Sequence, residues 1–100
     1  MDITKLIKAQ QRIYDLDLDS NAKSLAMLLI VKAFQYGNGD EEFYLTDQRI
    51  NNLLGVKDKH RTINARKVLV DKGFIEYVKG NNGKKTKYKV NWEQIIKTKQ

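Results

Sequence analysis

One hundred residues, 41% of them hydrophobic, suffice for one globular domain with a modest core and not for two. The chain has no cysteine and a single histidine, His60, which excludes disulfides and thiolate zinc sites and leaves Ser-His or Cys-His nucleophile machinery short of parts. The net charge is +7, and its excess falls in residues 57–92, which carry eleven Lys/Arg against three Asp/Glu; a like-charged block of that kind marks a polyanionic partner such as nucleic acid or an acidic membrane.

The longest apolar run, Leu25 to Val31, is far short of the roughly 20 residues that cross a bilayer, and MDITKLIK lacks the apolar core of a secretory signal. The expectation is a soluble intracellular protein that makes no membrane contact. Residues 3–14 set Ile3, Leu6, Ile7, Gln10, Ile13 and Tyr14 at helical spacing, an amphipathic helix able to pack on its own core or to pair two copies in a homodimer. DLDLDS then reads as an extended link ending in a cap, Asp19 or Ser20, for a helix over 20–36. That helix is apolar over much of its circumference and is expected at the centre of the core, ending at Gly37-Asn38-Gly39.

Asp40, Glu41 and Glu42 point in different directions and read as a solvated turn, followed by a short strand over 43–45. Thr46 is placed to cap the next helix, with Leu45 and Ile50 forming a hydrophobic staple across its start. Ile50, Leu53 and Leu54 make its expected buried stripe and Gly55 its stop. A second cap, Asp58, opens a helix from about Lys59 to Lys72, with Gly73 beyond it. On a helical wheel its core face is narrow, centred on Ala65 and Leu69 and shared by Thr62, Val68, Arg61 and Lys72. Lys67, His60, Ile63 and Asn64 lie opposite, with Lys59, Arg66 and Val70 on the flanks.

Residues 74–79 and 86–90 are β-type runs around Gly80-Asn81-Asn82-Gly83, a hairpin over 74–90. In the second run Tyr88 and Val90 share one face, Lys87 and Lys89 the other. Trp92, Ile95 and Ile96 mark a closing segment over 92–98. The whole is one domain, mainly α with a small antiparallel β-hairpin (α+β).

Two short helices joined by a glycine turn, over 46–72, make a helix-turn-helix whose second helix can enter a DNA major groove. Its outer face offers His60, Asn64 and Lys67 at i, i+4 and i+7. Asn can read adenine, Lys and His can donate to guanine, and Ile63 can rest on a thymine methyl. Lys57, Lys59, Arg61 and Arg66 around them suit phosphates. The hairpin adds Lys79, Lys84, Lys85 and Lys87 around Asn81 and Asn82, a ribbon able to reach the adjacent backbone or minor groove.

With LTDQRINNLLGV followed by RTINARKVLVDKGFIEYVKGNNGKKTKYKV, the chain resembles a winged helix-turn-helix domain. SNAKSLAMLLIVKAF before the short strand is similar to the modules at the front of phage replisome organisers, DnaD-like proteins and plasmid replication initiators. The resemblance covers about residues 18–92. It departs at the turn 57–61, about one residue longer than usual, and at Arg66, where such helices often carry an apolar residue. The resemblance implies a bacterial, phage or plasmid protein of the cytoplasm that binds double-stranded DNA sequence-specifically in replication initiation. A dimeric transcriptional regulator and a winged-helix protein-interaction module, using Ile63 and Val70, are the alternatives. With no phosphate loop, no triad and no metal-ligand set, the chain is expected to be no enzyme and to need no cofactor or metal.

Overall fold

The computed structural model describes residues 3–36, 42–80 and 85–98. Their elements are α1 (Ile3–Asp15), α2 (Ser20–Tyr36), β1 (Phe43–Leu45), α3 (Asp47–Leu54), α4 (Lys59–Asp71), β2 (Ile75–Val78), β3 (Thr86–Val90) and α5 (Trp92–Lys97). Helix dominates, and the three strands form one antiparallel sheet in the order β1-β3-β2, so the architecture is α+β.

The long apolar helix α2 is the centre, as its composition requires. Ala22, Leu25, Ala26, Leu29, Ile30 and Ala33 are all buried, and α1, α3, α4 and the sheet pack around them. Burying each of the larger side chains contributes about 1.5–3 kcal/mol. Asp19 is the residue that caps α2, its Oδ1 accepting from the Ala22 N–H at 2.8 Å.

In α1 the apolar stripe divides in two. Leu6, Ala9 and Ile13 face the core, whereas Ile3, Ile7 and Tyr14 are exposed on the outer side. Ala9, which lies outside the expected stripe, is fully buried.

The sheet joins residues distant in the chain. Phe43 pairs with Tyr88 across β1 and β3, and Tyr88 pairs with Tyr77 across β3 and β2. The three rings stack in a row, with centroids 5.8 and 6.1 Å apart. Phe43, Leu45, Ile75, Thr86, Tyr88 and Val90 are buried on the face turned to the helices. Tyr44, Glu76, Val78 and Lys89 are exposed on the other, where Lys87 is half-buried. The alternation expected for β3 is therefore present, and α5 closes the core with Trp92 and Ile95.

The expected stop at Gly37-Asn38-Gly39, most of the acidic turn and the hairpin tip lie outside the described residues. No described helix is long and apolar enough to cross a membrane.

Candidate nucleic-acid interface

The local signals that set α3 and α4 are met one by one. The Thr46 hydroxyl accepts from the Arg49 N–H at 3.1 Å, and Leu45 and Ile50 are both buried across the start of α3. Gly55 ends α3 in the left-handed region, φ 68°, where a side chain is disfavoured, and the next N–H, of Val56, closes back on Asn51 at 2.9 Å. Asp58 caps α4 through the His60 N–H at 2.9 Å. Between the helices the buried Thr62 hydroxyl donates to Oδ1 of Asn51, which fixes α4 against α3.

This arrangement opens a groove of about 640 Å³ between α3, α4 and the end of β2. Lys57, Lys59 and Ile63 line it from the turn and α4, and Lys79 lines it from the hairpin. The opposite wall comes from α3: Gln48, Asn51 and Asn52. Sequence reasoning passed over these amides, although their i, i+3, i+4 spacing puts them on one face of α3, turned to the groove rather than the core. The groove thus combines three ammonium groups with amides able to donate and accept and with one carboxylate, Asp47, whose charge is paired with Arg66, a composition suited to phosphates and base edges.

His60, Asn64 and Lys67 are exposed on α4, outside this groove. Arg61 is exposed despite its place in the expected core half of the wheel, and sits beside Asn21 and Ser24 at the start of α2. Lys72 is exposed as well, and Val70 packs partly against the core rather than standing free. Leu53 is a further correction: it is 40% exposed, and α3 turns Ile50, not Leu53, into the core. Of the hairpin residues, Lys79 and Lys85 are exposed. Lys87 lies on the outer sheet face, 3.4 Å from a Glu42 carboxylate oxygen, so its charge is partly neutralised. Asn81, Asn82 and Lys84 lie outside the described residues.

Arg66 is the main correction. Assigned above to the phosphate-contacting periphery, it is 3% exposed. Its Nη1 donates to Asp47 Oδ1 and to the Tyr88 hydroxyl, both at 2.8 Å, and its guanidinium lies 4.7 Å from the centre of the Tyr77 ring. It therefore occupies an apolar position of the helix pattern, with its charge compensated inside the fold. Burial by itself lowers its proton affinity, but the bonds to Asp47 and Tyr88 outweigh that cost and raise it above the ordinary arginine value.

Burial also pushes the Tyr88 phenol up from its usual value near 10, with Arg66 pulling partly against it. A phenol harder to ionise in the folded state stabilises the fold in full below about pH 10, and that contribution is lost as pH rises through the folded value. The expected result is a stability that declines above about pH 10, with a shallower decline in Tyr88→Phe, measured by urea titration at stepped pH. Equal slopes in both proteins would remove Tyr88 as the cause.

Among the described residues no three His, Cys, Asp or Glu side chains come together in a way that could hold a metal ion. No family model, curated protein or solved structure matches the chain.

Proposed function

We propose that the chain is a winged helix-turn-helix that binds double-stranded DNA sequence-specifically, with α4 in the major groove and the β2–β3 hairpin as its wing. The observation that carries the reading is the groove in which Lys57 and Lys59 of the helix-turn-helix meet Lys79 of the hairpin beside the α3 amides. Element order supports it too: α2, β1, α3, α4, β2 and β3 follow one another with β3 central in the sheet. The resemblance of residues 18–92 to the front modules of replication proteins favours a role in replication initiation. Footprinting separates this from the regulator alternative: repeated sites within an origin support it, and a lone palindrome over a promoter opposes it.

Among the described residues, Lys57, Lys59, Arg61, Lys67, Lys79 and Lys85 are exposed cations of the helix-turn-helix and its hairpin. If each neutralises one phosphate, the slope of log affinity against log salt is about −5. Titration of a labelled duplex from low to moderate salt measures it. A slope near zero rejects the duplex reading and favours a protein-interaction module.

A further inference from the structure

Arg66 is an expensive residue for the site it fills. Its neighbours on the buried side of α4, Ala65 and Leu69, show that an apolar side chain serves for packing there. A buried guanidinium adds a desolvation cost, which its bonds must offset. What those bonds add is direction. From one side chain on α4 they reach Asp47 at the first turn of α3, Tyr88 on the central strand, and the face of Tyr77 on β2.

The strand β2 needs such a link. Ile75 is its only buried residue, and from Glu76 onward the strand is exposed. Beyond Ile75 it is held by its ladder to β3 and by Tyr77, which is packed between Tyr88 and the Arg66 guanidinium. Two residues past Tyr77 stands Lys79, the hairpin cation that lines the groove with Lys57 and Lys59.

We propose that Arg66 is a positioning residue for DNA binding: it ties the β2–β3 hairpin to α4 through Tyr88 and Tyr77, and to α3 through Asp47, so that hairpin and groove lysines meet one duplex in a fixed spacing. This rests on the duplex-binding reading above. Arg66 itself touches no DNA. Its role is exerted on the geometry of Lys79 and Lys85, which an untethered hairpin presents only transiently.

Two readouts test it, one without DNA. The chain contains no cysteine, so spin labels at Lys67→Cys on α4 and Lys79→Cys at the end of β2 report one distance only. In the otherwise native protein its distribution, measured by double electron–electron resonance, is narrow. In Arg66→Met/Tyr88→Phe, which keeps side-chain bulk and removes the polar link, it broadens. Arg66→Met alone, which keeps the ring stack and removes every bond of the guanidinium, serves as the second variant should the double variant fail to fold. A distribution as narrow as the native one in whichever of these variants folds overturns the tether.

The second readout is a thermodynamic cycle on duplex affinity near 0.1 M salt. Removing Lys79 and Lys85 by alanine is expected to weaken the native protein about 60-fold, from two lost phosphate contacts. In the untethered background the same removal costs only a few-fold, because the hairpin no longer contributes fully. A loss in that background within threefold of the native one overturns the positioning role. Absence of duplex affinity in the native protein instead rejects the DNA reading, and the distance measurement still decides the tether.

Discussion

Arg66→Ala lowers the free energy of unfolding by roughly 3 kcal/mol in urea titration, a large part of the total for so small a domain. The substitution leaves the Tyr88 hydroxyl buried without its donor and removes a side chain that is itself buried. Asp47 softens the loss, since its side chain is 37% exposed and water can solvate the abandoned carboxylate. Removing Asp47 is less forgiving than its exposure implies. Asp47→Ala leaves a guanidinium that is almost wholly buried without its counter-charge, and the expected cost is again roughly 3 kcal/mol. Tyr88→Phe keeps the stacked ring and loses one hydrogen bond to a charged group, for about 1.5–3 kcal/mol.

The order of these effects matters more than their size. Replacing both Arg66 and Tyr88, as Met and Phe, removes the buried polar groups together and is expected to recover most of the stability lost in Arg66→Ala. A double variant less stable than Arg66→Ala contradicts this account. Recovery of stability without recovery of DNA affinity is the pattern that separates a positioning group from a packing group.

Features encoded within a few residues are legible in the sequence. Thr46, Asp58 and Gly55 act through bonds to residues two to four positions away, so their types and spacing carry the message. The alternation of Thr86–Val90 likewise identified the inner face of β3. Arg66 was not legible in that way, because its partners lie 19 and 22 residues distant. On a helical wheel it falls at the margin of the core face, and only the arrival of α3 and β3 decides that the margin is covered. Leu53 failed for the opposite reason: periodicity marks it as apolar, yet among the described residues no element buries it. The pairing of β1 with β3 brings Phe43 to Tyr88, a closure that no local pattern announces. The α3 amides carry no local signal either, since Gln48, Asn51 and Asn52 suit any solvated helix face until α4 and Lys79 arrive opposite them.

The groove makes the second large prediction. Lys57→Ala/Lys59→Ala/Lys79→Ala is expected to weaken duplex binding by between two and three orders of magnitude near 0.1 M salt. Each phosphate contact contributes about 0.9 decade per decade of salt, so three together amount to roughly 500-fold. The salt slope should fall with them, from about −5 to about −3, because three fewer counterions are released. These lysines are exposed and lie at a turn, a helix start and a strand end, so folding stability should change little. Net charge alone gives a competing explanation for any loss of affinity. The control is Lys8→Ala/Lys32→Ala/Lys97→Ala, which removes the same charge from α1, α2 and α5. If location governs binding, the control loses only a few-fold through the weaker long-range field, and the groove variant loses far more. Equal losses would mean that the chain is attracted by its charge without being organised by its groove. Binding by Lys57, Lys59 and Lys79 as a set would then be rejected even if DNA remained the partner.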